Sequence, residues 1–311
     1  LRLLAEVTSE DVDGHPVFTV VPKGGGSRWR VLYLHGGGFV EDIMSVHWDI
    51  IMQLLRFTGA TIVVPSYPLA PENSHREGHA FVRRVYQQLL DSAAPEDIVF
   101  MGDSAGGTMA IVQAMQCRDD GIPLPARLVL FSPCVNVTAT NPEVDAIEPL
   151  DVILARPGGQ VAGRWWAGSD EPTIPQVSPL FGDPSGLPPI DIYQGTADIL
   201  APDNRLMAQR IAAAGGTVRL RDYPGAIHVF VAAVFTPEAQ EVYADIAATL
   251  GVSEAQIRGA AQLLATPSLM FTRQVTTRLR YQATPWIQHV GTRARLRAEW
   301  LSRGERVTRA N

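Results

Sequence analysis

Two cysteines, Cys117 and Cys134, are too few for a disulfide framework in a chain of 311 residues, and neither lies in a redox pair. No CxxC or HExxH pattern occurs and the seven histidines are scattered, so no metal centre is expected. No apolar run approaches the roughly 18 residues of a membrane span. The net charge of −6 speaks against nucleic acid as a partner. Lysine is almost absent, with Lys23 alone among the basic residues and arginine supplying the rest, which points to a GC-rich genome more than to a function. Nothing at the start has the order of a signal peptide, although the first residue is Leu1 rather than methionine and a preceding leader is left open. A cytoplasmic location is expected.

What is present is an alternation. Apolar, partly β-branched runs near 31–35, 61–65, 97–101, 127–132, 189–194 and 217–222 predict strands. Helical stretches near 47–58, 75–91, 104–117, 203–214 and 237–250 separate them. Such alternation predicts an α/β fold with a mostly parallel sheet flanked by helices. Few residues precede the first predicted strand. The proline-rich segment 133–188 interrupts the pattern after a strand end and is expected to be a cap insertion within a catalytic domain spanning 1–250.

Three segments carry chemistry. Ser104, in Gly102-Asp-Ser-Ala-Gly-Gly107, sits between a predicted strand and a predicted helix, where a sharp turn presents the hydroxyl and the glycines avoid collisions. His35-Gly-Gly-Gly38 follows the strand Val31–Leu34, and the N–H groups of Gly37, Gly38 and Ala105 are candidates for an oxyanion hole. Asp198 and His228 each follow a strand end, where open α/β sheets place their sites. A serine needs a histidine to take its proton, and that histidine needs a carboxylate to hold one tautomer. The chain order Ser104, Asp198, His228 suits one such constellation.

Other residues compete for roles. Asp103 lies inside the nucleophile turn, and Asp203 reads as a helix start. His35 is expected to order the glycine loop; His15, His75, His79 and His289 read as surface or loop residues. His47 and Trp48 are candidates for the mouth of the site, with helix packing as the alternative. Trp165 and Trp166 either line a lid over the site or anchor the insertion to the core.

From Gly251 onward ten arginines face three acids, so this end carries +7 and the remainder −13. Ser253-Glu-Ala-Gln256 is a capping box with Val252 and Ile257 as a hydrophobic staple. Pro267 and Pro285 divide 251–311, a helical, Arg-rich extension, into three helical segments. Apolar residues at helical spacing (Phe271, Val275, Leu279; Leu296, Trp300) favour packing on the body or a homodimer interface over peripheral membrane contact.

The pairing of HGGGF at 35–39 with GDSAGG at 102–107 resembles the hormone-sensitive-lipase-like, or family IV, carboxylesterases of the α/β-hydrolase superfamily, over roughly Val17 to Leu250. Tyr67-Pro-Leu-Ala-Pro-Glu72 is similar to that family's YRLAPE segment, with Pro68 in place of arginine, and Val177-Ser-Pro-Leu180 to its SPL segment. An acidic pair that follows the family's catalytic aspartate is here Asp203-Asn204, one residue further on. The resemblance implies an α/β-hydrolase fold and a cofactor-free ester hydrolase acting on a small-molecule ester. It assigns Ser104, Asp198 and His228 as the triad, with short to medium acyl chains or acetyl esters of bulky alcohols as substrates. Amide hydrolysis or acyl transfer on the same triad is the alternative, and retention of His228 speaks against a receptor-like binding protein.

Overall fold

The computed structural model describes residues 4–265, with side chains described through residue 260. Two strands open the fold that the sequence reading did not anticipate, β1 (Ala5–Val12) and β2 (His15–Pro22). Asp13 and Gly14 between them have φ of 52° and 82°, the left-handed pair of a two-residue hairpin turn. Val12 faces His15 and Ala5 faces Pro22 across the ladder. Most of β1 is exposed, so its polar residues give no apolar period to read, and the strand expected at Val31–Leu34 is the third rather than the first.

From there strands and helices alternate as expected: β3 (Arg30–Leu34), α1 (Ser45–Thr58), β4 (Thr61–Pro65), α2 (His75–Leu90), β5 (Ile98–Asp103), α3 (Ala105–Asp119) and β6 (Arg127–Phe131). After the insertion, which holds α4 (Val144–Ile147) and α5 (Arg156–Ala167), come β7 (Ile190–Gly195), α6 (Ala201–Ala213), β8 (Val218–Tyr223), α7 (Pro237–Thr249) and α8 (Glu254–Ala265). The eight-stranded sheet has the order β1-β2-β4-β3-β5-β6-β7-β8. β2 meets β4 antiparallel, and every pairing from β4 to β8 is parallel.

Strands buried on both faces need apolar residues at successive positions, and alternate residues feed two cores. Leu32, Leu34, Phe100, Leu128 and Ile192 point to the side covered by α2, α3 and α6. Val31, Tyr33, Val99, Val129 and Phe131 point to the side covered by α1 and α7. α8 joins this second side: Ala260 is buried there, Val252 and Ile257 pack against it, and the Arg56 guanidinium donates to the Ala260 carbonyl at 3.3 Å. The capping box is present, with Ser253 Oγ accepting from the Gln256 N–H at 3.4 Å. The remaining residues of the predicted extension, Pro267, Phe271, Val275, Leu279, Pro285, Leu296 and Trp300 included, lie outside the described residues. Among the described residues no helix is long and apolar enough to cross a membrane.

Candidate active site

β5 ends at Asp103 and α3 begins at Ala105, so Ser104 alone makes the turn. Its φ of 51° and ψ of −119° lie in a region that costs a non-glycine residue on the order of 1–3 kcal/mol. Neighbours hold it there. The Ser104 N–H donates to the Phe131 carbonyl at 2.9 Å, and its own carbonyl accepts from the N–H groups of Cys134 and Gly107, both at 3.0 Å. A Cβ at Gly106 would overlap the Leu34 carbonyl oxygen, so only glycine lets α3 pass this close to β3.

The glycine loop leaves the end of β3 beside this turn. Gly37 has φ of 112° and would drive a Cβ to 2.5 Å from the Glu41 carbonyl oxygen. Asp103 ties the loop to the elbow, its Oδ1 accepting from the Gly36 N–H at 3.1 Å and from the Tyr33 hydroxyl at 2.6 Å. His35 is buried, its Nδ1 donating to the Gly36 carbonyl at 2.8 Å and its ring stacked on Tyr67 at 4.4 Å. Burial, with the nearby His47, lowers its pKa to about 4, so it is a neutral brace for the loop. Among the described residues the N–H groups of Gly37 and Gly38 have no protein acceptor. Ala105 opens α3, where backbone N–H groups lack a partner within the helix.

Asp198 and His228 come together across the tips of β7 and β8. The Thr196 N–H donates to the Tyr223 carbonyl at 3.0 Å and the Ala197 N–H to that of Ala226 at 2.9 Å, joining the two loops. Val229, next to His228, donates its N–H to Ser132 Oγ at 3.1 Å, which draws the histidine toward the β6 tip that also holds Ser104. His228 Nδ1 lies 2.9 Å from Asp198 Oδ2. An ionised carboxylate only accepts, so Nδ1 carries the proton and Nε2 keeps its lone pair. Burial opposes the charge of Asp198, but His228 and the donors Leu200 N–H and Gln194 hold its pKa below the ordinary value. Burial likewise opposes the imidazolium of His228. Asp198, helped by Asp151 and Asp103, outweighs it and raises the pKa.

The competing residues go elsewhere. Asp203, in the first turn of α6, accepts from Asn136 at 3.1 Å and Asn141 at 2.9 Å, tying the start of the insertion to that helix. His47 is buried, with Nδ1 accepting from the Met44 N–H at 2.8 Å and Nε2 3.5 Å from Asp103 Oδ2, so both nitrogens serve packing rather than the mouth of a pocket. Trp48 packs edge-on against Phe18 at 5.4 Å, on the α1 and α7 side of the sheet. Trp166 is fully buried, stacked on Phe39 at 4.7 Å and lying over Gly78 of α2, which makes it an anchor of the insertion rather than part of a lid. Trp165 is half-buried against the same core.

Two histidines read as surface or loop residues are corrected. His75 and His79 are buried on α2, with His75 Nε2 2.8 Å from Asp170 Oδ2 and His79 Nε2 donating to the Gln176 carbonyl at 2.8 Å. With Arg76 and Arg83 they edge a groove of about 510 Å³ between α2 and the insertion. His15, on β2, is half-buried beside Phe81 at 5.3 Å, and His289 lies outside the described residues. Asp151 of the insertion was not singled out from sequence. It accepts from the N–H groups of Ile153 (2.9 Å), Leu154 (2.8 Å) and Ile199 (3.0 Å), and so reaches the loop that bears Asp198. An aspartate between Leu150 and Val152 was the available signal.

A mostly parallel sheet with a strained serine after β5 and an aspartate and a histidine after β7 and β8 defines a hydrolase of the α/β class. The profile of the alpha/beta hydrolase fold family matches residues 31–232. The chain is similar to an esterase of Acinetobacter venetianus, 30% identical over 220 residues that cover 70% of this chain and 73% of that protein. It is also similar to an acetyl-hydrolase of Streptomyces hygroscopicus, 30% identical over 202 residues covering 64% and 67%. Among solved structures, a hormone-sensitive lipase from a metagenome library matches with a TM-score of 0.76 at 30% identity, over 81% of this chain and 84% of that one. The chain belongs to the hormone-sensitive-lipase-like, family IV carboxylesterases of the α/β-hydrolase superfamily, and it is a carboxylic ester hydrolase.

Proposed function

We propose that this enzyme cleaves its ester through an acyl-enzyme on Ser104. The Ser104 hydroxyl attacks the ester carbonyl carbon while His228 Nε2 takes its proton. The negative charge that develops on the former carbonyl oxygen is met by the N–H groups of Gly37, Gly38 and Ala105, already in place before reaction. Collapse breaks the bond to the alcohol, which leaves with the proton from His228. Water then repeats the sequence on the acyl-serine, releasing the acid and restoring Ser104. Asp198 holds the imidazole in the tautomer with Nδ1 protonated and stabilises the imidazolium in each half-reaction.

The observation that carries this reading is the 2.9 Å contact of His228 Nδ1 with Asp198, which leaves Nε2 with no protein partner among the described residues. Short to medium acyl esters form the proposed range. Acetyl esters, those of bulky alcohols included, head it because relatives are named acetyl-hydrolases. In the same reading the start of the Arg-rich extension, Val252 to Ala260, serves to pack on the hydrolase body rather than as a lipid anchor. Its support is the apolar contact of Val252, Ile257 and Ala260.

A panel of p-nitrophenyl esters of increasing acyl length, with an acetylated sterol and an anilide, tests the proposal. Turnover should be highest on acetyl to medium-chain esters and absent on the anilide. Preference for the anilide, or for long chains only, would overturn the substrate range, and wild-type turnover by Ser104→Ala would overturn the mechanism.

A further inference from the structure

We infer that Gln194 and Asn204 are a positioning pair that governs how strongly Asp198 holds the imidazole of His228, an inference that rests on the triad reading above. Gln194, at the end of β7, and Asn204, in the first turn of α6, are fully buried, as is Asp198. Gln194 Nε2 donates to Asp198 Oδ2 at 2.8 Å and to the Gly195 carbonyl at 2.9 Å. Gln194 Oε1 accepts from Asn204 Nδ2 at 2.6 Å.

The direction of this chain follows from charge. A carboxylate offers no proton, so the Gln194 amide must turn its NH₂ group toward Asp198 and its oxygen toward Asn204, which must then present its own NH₂ group. Asp198 thereby sets the orientation of Gln194, and Asn204 supports it by donating to the outward-turned oxygen. Asp198 Oδ2 receives two donors, the Gln194 amide and the His228 imidazole, while Oδ1 receives the Leu200 N–H at 2.9 Å. The amide and the imidazole share one oxygen, so the amide draws off charge that would otherwise bind the imidazolium. Asp203, one residue before Asn204, turns to the insertion instead, which explains why the two neighbours do different work.

Amides that only fill buried hydrogen bonds would affect stability and leave the titration of His228 alone. The other titratable groups near His228 and Asp198 are Asp151 of the insertion, Asp103 at the end of β5 and Cys134 after β6, and none is altered in the test. The pH dependence of kcat/KM is compared for wild type, Gln194→Met, Asn204→Leu and the double variant. Active enzyme is counted by a fluorophosphonate and its attachment point found by mass spectrometry. With the amide donor removed, Oδ2 serves the imidazole alone, and the acid limb of Gln194→Met should move upward by about half a pH unit to one unit, with KM unchanged. Asn204→Leu should move it less, in the same direction, and add nothing on top of Gln194→Met because it acts through that residue. A fluorophosphonate that labels Ser104 while the Gln194→Met limb coincides with wild type, or an added shift from Asn204→Leu in the Gln194→Met background, would overturn this inference alone. A wild type that turns over ester without labelling at Ser104 would overturn the triad reading, and this inference with it. If Asn204→Leu fails to fold, the Gln194→Met limb alone decides.

Discussion

Two buried histidine–aspartate pairs flank the nucleophile turn. In one, His47 accepts the Met44 N–H on Nδ1 and sets Nε2 3.5 Å from Asp103. In the other, His228 meets Asp198 through Nδ1 at 2.9 Å and has no protein partner on Nε2 among the described residues. Residue types and burial are alike; the spare lone pair is not. Asp103 spends its carboxylate on Tyr33, Gly36 and His47 and so joins the glycine loop to the elbow, whereas Asp198 holds an imidazole whose Nε2 has no protein partner among the described residues. The first pair builds the frame, and the second, in our reading, works inside it.

The largest effect should come from Ser104, the proposed nucleophile. Ser104→Ala is expected to lower kcat by up to about 10⁶ in steady-state ester assays while leaving substrate binding intact, as in other serine hydrolases that lose the attacking hydroxyl. Next comes the acid: Asp198→Asn should cost about 10⁴ in kcat, because an amide supports the wrong imidazole tautomer. Asp203→Asn should be mild beside it, since Asp203 holds the insertion rather than His228. A reversal of those two losses would break the comparison at its base.

Frame residues should register in stability instead. Trp166→Ala removes a fully buried indole from the contact with Phe39 and Gly78, and a loss of about 3–5 kcal/mol is expected in urea unfolding. Truncation after Leu250 should lower the melting temperature by a smaller amount, because it uncovers the apolar surface now under Ile257 and Ala260. A truncated enzyme that melts as before but no longer binds anionic vesicles would instead favour lipid contact by the extension.

The smallest effect is one of position along the pH axis. The raised pKa of His228 means that the neutral imidazole needed as a base is lost as pH falls through a value above 6.5. The acid limb of kcat/KM should therefore lie above 6.5, and an acid limb below that value would mean that Asp198 fails to hold the charge of His228.

Much of this was legible in the residues. The strand-turn-helix setting of Ser104 and the strand ends before Asp198 and His228 are local patterns, and the parallel strands appear within two residues of their expected bounds. What escaped depends on contacts distant in sequence. Asp13-Gly14 is a hairpin signal, but β1 is too exposed to show an apolar period, and the hairpin went unread. His75 and His79 read as surface residues because Asp170 and Gln176, which cover them, arrive only with the insertion. Nothing local separates a lid tryptophan from an anchor, and Trp166 is settled by Phe39 and Gly78, both distant from it in sequence. Asp151 is a single polar residue whose partner Ile199 is set by how the insertion meets the Asp198 loop, and Gln194 finds Asp198 and Asn204 only once the connection from β7 to α6 is folded.

The central claim, that Ser104 carries the acyl group with His228 rather than His47 as its base, has one direct measurement. Wild type, His228→Ala and His47→Asn are quenched in acid during turnover of p-nitrophenyl acetate, and the peptides are mapped by mass spectrometry. His47→Asn keeps an acceptor for the Met44 N–H while losing the imidazole. The account expects an acetyl group on the Ser104 peptide in wild type and in His47→Asn, and none in His228→Ala within the same interval. Acetylation at another residue, or a His47→Asn enzyme as silent as His228→Ala, would contradict it.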